Sequence, residues 1–275
     1  MNSPHKSAPD RPHQSTSHEN PWLQARRWYQ TELGQALFQS EKASVDKLLD
    51  SIFGYNLVQL GCLGSGDLDA QSRTRFQFIF ESISKTPQTT SFTKGLTAFT
   101  TLALQSDSID VVLLPHTLEF EANPHQILRE VERVLVAEGK VVILGFNPFS
   151  LWGLWHKYAE IKQLVSGKQV PLASCGHLLS QKRLSDWLQL LGFDIEHVHE
   201  SFFRPPVQNA GLLKKLAFMD TAGHRIWPMM AGTYQIVATK RVSTLTPIVP
   251  EWKFTKKLVG SDVAEPTAGY KNRTL

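Results

Sequence analysis

Cysteine is scarce in this chain. Its two copies, Cys62 and Cys175, are too few and too isolated for a disulfide framework, and neither has the paired Cys or Cys/His spacing of a zinc site. No metal site is expected, and free thiols suit a reducing compartment. Long apolar runs are missing as well. Nothing approaches the roughly 18 uninterrupted apolar residues of a membrane span, and the first twenty residues lack the apolar stretch of an export signal. The expectation is a cytoplasmic protein with no membrane partner. A general excess of one charge is also lacking. The formal charge is +4, but residues 240–275 hold seven Lys/Arg against three Asp/Glu, a difference of four that accounts for the whole excess. The remainder is neutral, which excludes a broadly basic nucleic-acid-binding surface.

What is present suits one globular domain with appended ends: 275 residues, 41% hydrophobic and 20% charged. Residues 1–20, rich in Pro, Ser, His and Asn without periodicity, read as a disordered leader. Residues 21–240 read as the domain, and 241–275, punctuated by Pro247, Pro250 and Pro266, as an extended basic tail. Between Pro21 and Asp50, Leu33, Leu37, Val45, Leu48 and Leu49 recur at helical spacings, which predicts one or two helices ahead of the sheet. Trp22, Trp28 and Tyr29 are expected to pack there rather than to cover a pocket.

Asn56–Leu60 is a short apolar run followed by Gly61-Cys62-Leu63-Gly64-Ser65-Gly66, a strand leading into a glycine loop, which is the arrangement of a nucleotide site. Phe76–Phe80 and Thr89–Phe92 are further strand candidates. In Ile109–Leu114 only Asp110 is polar, as in a strand covered on both faces of a parallel sheet. A helix follows, with Asn123 as N-cap, Pro124 at its first position and a stripe of Ile127, Leu128, Val131, Val134 and Leu135. Gly139 is expected to supply a left-handed stop. Lys140–Phe146 is again apolar, so strand, helix and strand form a βαβ unit. A helix carrying Phe149, Trp152 and Trp155 comes next, then an amphipathic helix over Gln181–Leu191 ending at Gly192. Phe193–Val198 and Tyr234–Thr239 carry mixed polar residues and are expected nearer a sheet edge.

At Asp107–Phe120, Asp-Ser-Ile-Asp-Val-Val-Leu-Leu-Pro-His-Thr-Leu-Glu-Phe, the sequence resembles the fourth-strand signature of class I S-adenosylmethionine-dependent methyltransferases. Asn123–Lys140 and Val141–Gly145 resemble the following helix and fifth strand. Phe146–Gly153 is similar to a bacterial subgroup of type 11 methyltransferase-domain proteins. The resemblance implies an α/β Rossmann-like fold: a mostly parallel seven-stranded sheet with an antiparallel last strand. It also implies S-adenosylmethionine as cofactor and a small-molecule or macromolecular methyl acceptor.

In open α/β sheets a ligand sits outside the carboxyl ends of the strands at the switch point. The cofactor-binding candidates are therefore Gly61, Gly64 and Gly66, where a side chain would occupy ligand volume, with Cys62 and Leu63 acting through main chain and Pro115 and His116 at the end of the fourth strand. Two departures stand out. Gln59 occupies the position, two before the first glycine, where the family carries an acid. The glycines align either as Gly61-Leu63-Ser65 or, with one inserted residue, as Gly61-Gly64-Gly66. Glu81, twenty residues after Gly61, is the candidate for the acid that contacts the ribose.

Methyl transfer from a sulfonium is an in-line displacement that needs positioning more than a nucleophile. His116 is the best-placed general base, should an acceptor require one, with packing or hydrogen bonding within the loop as its default role. Glu119 either reaches the cofactor mouth or belongs to the turn, and His125 is expected on the surface. Phe146, Phe149, Trp152 and Trp155 are expected in the core, with an aromatic acceptor pocket as the alternative. In the tail, Trp252, Lys253, Phe254, Lys256 and Lys257 interleave basic and aromatic residues, a pattern that suits RNA; a solvated tail is the simpler reading. Two further functions therefore stand beside catalysis: a non-catalytic methyltransferase-fold scaffold, and an RNA-modifying or RNA-binding protein.

Overall fold

The computed structural model describes residues 20–63, 68, 74–82, 94–166, 177–207, 209–227 and 230–242. The chain divides into two units, Met1–Val242 and Ser243–Leu275. Residues 1–19 of the leader, the basic-aromatic stretch of the tail, Gly64, Gly66 and the Thr89–Phe92 strand candidate lie outside the described residues.

Two helices precede the sheet. In α1 (Pro21–Tyr29) the Asn20 side chain caps the Trp22 amide and Pro21 starts the helix without loss of a bond. Thr31 caps α2 (Glu32–Leu49) in the same way through the Gly34 amide. The sheet then runs through β1 (Asn56–Leu60), β2 (Phe76–Ser82), β3 (Lys94–Thr97), β4 (Ile109–Pro115), β5 (Leu135–Phe146), β6 (Phe193–Ser201) and β7 (Thr233–Lys240). Its spatial order is β3-β2-β1-β4-β5-β7-β6, parallel from β3 to β5, with β7 antiparallel to both of its neighbours. Between the strands lie α3 (Thr117–Phe120), α4 (Pro124–Val134), α5 (Leu151–Ser166), α6 (Gln181–Leu190), α7 (Ala210–Lys215) and α8 (Phe218–Ile226).

The central strands are apolar because helices cover both faces: Val111 through Leu114 are all fully buried. The α4 stripe turns inward as its spacing predicts, with Ile127, Leu128, Val131 and Val134 fully buried. The helix stop differs from expectation. Leu135 leaves the helix in an extended conformation and is already the first residue of β5, while the left-handed position is Glu138 at φ 62 rather than Gly139. Asn123 is the N-cap by position but makes no side-chain cap bond. The last two strands lie toward one edge of the sheet as expected: β6 is the edge strand, and β7 beside it is buried along its whole length between β5 and β6. Its polar residues are satisfied internally. The Lys240 ammonium reaches Asp107 at 2.9 Å and the Glu132 and Leu135 carbonyls at 2.7 and 2.9 Å, which ties β7 to the carboxyl end of α4.

Candidate functional site

The carboxyl ends of β1, β2 and β4 meet where the sheet order reverses, and α1 lies across them. Gly61 takes φ 90 as the chain leaves β1, and its amide donates to the Phe80 carbonyl at 2.7 Å. The space above it belongs to Trp22. A Cβ at Gly61 would overlap Trp22 Cη2, stand 2.8 Å from Cζ3 and lie 3.3 Å from Thr117 Oγ1. Trp22 is held there by a hydrogen bond from its indole nitrogen to Glu121 at 3.0 Å and by ring contacts with Phe99 and Phe120.

Glu81 closes β2 with its carboxylate turned to the same corner. Arg26 of α1 pairs with it, Nη2 to Oε2 at 3.0 Å, and Arg26 Nε donates to the Cys62 carbonyl at 2.8 Å. One guanidinium therefore joins the end of β2 to the loop after β1. Gln59 is buried and donates to the Gly61 carbonyl at 2.8 Å, while its Oε1 has no partner among the described residues. It lines a small cavity, with about 10 Å³ accessible to a water molecule, together with Leu63, Pro115, His116, Glu41 and Tyr29. A buried, unmatched acceptor beside such a space is a place for a donor from water or ligand.

His116 follows β4 in a left-handed conformation, φ 54, and is fully enclosed. Its Nε2 lies 2.8 Å from Glu41 Oε1 and its Nδ1 lies 3.0 Å from Glu119 Oε2. Glu119 Oε1 accepts the Phe146 amide at 2.6 Å, and the Tyr29 hydroxyl donates to Glu41 at 3.3 Å. Burial alone would lower the imidazole pKa, but Glu41 and Glu119 together outweigh it and push it up to about 10. Burial raises the Glu119 carboxyl, against the pull of His116. With its pKa held up at about 10, the imidazole is charged at neutral pH and both of its nitrogens are hydrogen-bonded within this cluster. Glu119 belongs to this buried cluster rather than to an open mouth.

The structure thus brings Gly61, Cys62, Leu63, Gln59, Glu81, Pro115 and His116 to one corner of the sheet. Phe146 and Trp152 are core residues in contact with Trp28, Trp155 is half-buried, and Phe149 is exposed. His125 lies on the surface against the Trp187 ring at 3.6 Å. Sequence reading missed Trp22 and Arg26 as parts of the site, and Glu41 altogether. Glu41 had a signal: Leu33, Leu37, Glu41, Val45 and Leu49 follow one another at intervals of four, so a carboxylate stands in an apolar stripe.

A methyltransferase-domain family model matches residues 82–143, which include β3, β4, α4 and most of β5. An S-adenosylmethionine-dependent methyltransferase of Thermotoga maritima is similar in structure, with TM-score 0.52 and 16% identity over 80% of this chain and 100% of that one. The chain has the class I methyltransferase fold. A second methyltransferase-fold neighbour comes from the Haloferax volcanii complex of a methyltransferase with the Trm112 activator. It has TM-score 0.54 and 15% identity over 82% of this chain and 99% of that one. In sequence, the Escherichia coli (strain K12) protein YafS, uncharacterised, is 33% identical over 145 residues. That alignment takes in 53% of this chain and 54% of YafS, so the chain spans about half the length of the curated relative it matches. The family match begins at residue 82, just after Glu81, so of that corner it takes in Pro115 and His116 but not Gln59, Gly61, Cys62, Leu63 or Glu81.

Proposed function

We propose that this methyltransferase-fold protein binds S-adenosylmethionine at the Gly61–Glu81 corner and transfers its methyl group to a small-molecule or macromolecular acceptor. The observation that carries this reading is the convergence of a carboxylate, a left-handed glycine and an unmatched buried amide oxygen at the switch point of a methyltransferase sheet. The donor set fits the nucleoside end of such a cofactor. Glu81 is a two-oxygen acceptor suited to a ribose diol, and Gln59 Oε1 is an acceptor still lacking its donor. When bound, the cofactor supplies a methyl group already activated on a sulfonium.

The chain's own residues position and exclude water. Trp22, Phe99 and Phe120 roof the corner with apolar surface. The Glu41–His116–Glu119 cluster holds α2, the end of β4 and the start of α3 in fixed relation, so the strand ends present a rigid floor.

Arg26 stands in competition with a ribose for Glu81. Calorimetry with S-adenosylmethionine and with its demethylated product tests the proposal: both are expected to bind. Arg26→Ala is expected to tighten binding by freeing the carboxylate, and Glu81→Ala to weaken it roughly 10- to 100-fold, the cost of losing hydrogen bonds to a charged group. Absence of binding at millimolar ligand, in the wild type and in Arg26→Ala alike, would sink it. That result would support a second reading, a non-catalytic member of the fold, which the seating of Trp22 over Gly61 and of Arg26 on Glu81 favours.

A further inference from the structure

Helix α5 is apolar on two sides. Trp152, His156 and Ala159 face the core, while Leu151, Leu154, Tyr158 and Ile161 form a second stripe at spacings of three and four that faces solvent. Leu154, Tyr158 and Ile161 are 66%, 61% and 63% exposed. A helix that only closes a domain needs one apolar face, so the outer stripe is left for something else.

The stripe is continuous with a second apolar area. β5 ends and β7 begins side by side, Phe146 opposite Thr233, so α5 and α8 emerge at the same end of the sheet. Leu151 and α8 together line an open pocket of about 400 Å³, floored by Phe203 and Gly223 and rimmed by Phe218, Trp227 and Met230. Its surface is almost wholly apolar. α8 is held down by Asp220, which accepts the Phe203 amide at 2.9 Å and pairs with Arg204 at 2.7 Å. A Cβ on Gly223 would overlap the Phe203 ring, so the helix sits directly on that floor.

Charge is gathered on the same segments. On α5 and α8 and in the segment between β6 and α7, Lys157, Lys162, Arg204 and Arg225 stand against Glu160 and Asp220. Since the chain outside its tail is neutral, this excess is local. A second copy docking through a two-fold axis would bring these cations face to face, which opposes self-association. An anionic bilayer surface complements both features: apolar and aromatic side chains enter the headgroup region, and Lys and Arg at the rim meet lipid phosphates.

We infer that the α5–α8 face docks on a membrane surface rich in anionic phospholipid, with the apolar pocket opening toward the bilayer. This narrows the sequence expectation of no membrane partner to the absence of a span: among the described residues no helix is long and apolar enough to cross a membrane. The stripe escaped sequence reading because apolar residues at helical spacing are indistinguishable from core until no element is seen to cover them among the described residues. The inference is independent of methyl transfer.

The test is co-sedimentation of the full chain with vesicles of phosphatidylglycerol and phosphatidylcholine, one part to three, and with phosphatidylcholine alone. Partition onto the anionic vesicles, weakening as salt is added, is expected, with little onto the neutral ones. Lys157→Ala with Arg225→Ala is expected to cut partition roughly 30-fold, the equivalent of about 1 kcal/mol for each cation near the surface. Leu154→Ser with Tyr158→Ser is expected to cut it on the order of tenfold or more through lost apolar burial. All four side chains are exposed, so circular dichroism should report an unchanged fold. Three outcomes each overturn the inference: no partition at low salt, equal partition onto neutral vesicles, or full partition retained in both double variants, which would place binding in the basic tail or elsewhere.

Discussion

Replacing His116 by alanine is expected to remove roughly 3–5 kcal/mol of stability, a large share of the ~5–15 kcal/mol that holds a domain together. The loss comes less from the imidazolium than from what it leaves behind. Glu41 and Glu119 are both buried, each with an oxygen committed to the ring, and without it two carboxyl groups face one another away from water. His116→Gln, which keeps hydrogen-bonding capacity but no charge, should fall between wild type and alanine. Urea unfolding of the three proteins gives the order. Alanine as stable as wild type would show that the cluster is not the pin described above.

The same cluster fixes the sign of the pH dependence. The folded His116 pKa, about 10, lies above the unfolded value near 6.5. Below ~6.5 the imidazolium is charged in both states and its contribution is fully present. Between these values the folded protein holds a proton that the unfolded chain has released, so stability falls as pH rises, by up to about 1.4 kcal/mol per pH unit. The Glu119 carboxyl, raised by burial, acts in the same direction from the acid side. Wild type should therefore lose stability between neutral pH and pH ~9 while His116→Gln shows a flatter profile in that window. A flat wild-type profile would contradict the assignment.

Much of the fold was legible because its central half is locally consistent. Asp110 is the only polar residue in Ile109–Leu114, and Asn123-Pro124 followed by a stripe of period 3.6 specifies cap, start and buried face together. Residue pattern alone was less informative where tertiary context decides. Gly139 looked like a helix stop, yet the turn was made at Leu135 and Glu138. β7 was expected nearer a sheet edge for its mixed polar residues, and it lies beside the edge strand, yet it is buried throughout because Gln235, Thr239 and Lys240 each find an internal partner, among them Ser44, Glu196 and Asp107. Those partners lie from 43 to 191 residues away in the chain, beyond any window of pattern reading.

The site divides in the same way. Gly61, Gln59, Glu81 and His116 were legible as candidates, since strand ends and spacing place them at the switch point. Their partners were not, because Trp22, Arg26, Tyr29 and Glu41 come from helices whose docking cannot be read from periodicity. These partners change the chemistry assigned to the candidates. His116 becomes a buried cation between Glu41 and Glu119, and Glu81 a carboxylate already paired with Arg26.

Gly61→Val illustrates the difference and carries the second large effect. From the sequence, a side chain at this position is expected to exclude cofactor and leave the domain folded. In the structure it meets Trp22 first. An L-residue at φ 90 costs about 1–2 kcal/mol in backbone strain, and forcing aside a packed indole adds about 1–3 kcal/mol, so a loss of roughly 2–5 kcal/mol is expected. Ligand loss in this variant alone is therefore ambiguous, because α1 will have shifted. The double variant Gly61→Val with Trp22→Ala resolves it. Removing the indole takes away the overlap but not the strain, so the two substitutions should be coupled, and the double variant should be more stable than the sum of the single losses allows. Additive losses would show that Trp22 does not occupy the space above Gly61. If the coupling is found and S-adenosylmethionine binding is still absent in the double variant, the main chain at Gly61 touches the ligand itself; if binding returns, the glycine serves the roof helix and the cofactor is held from Glu81 and Gln59.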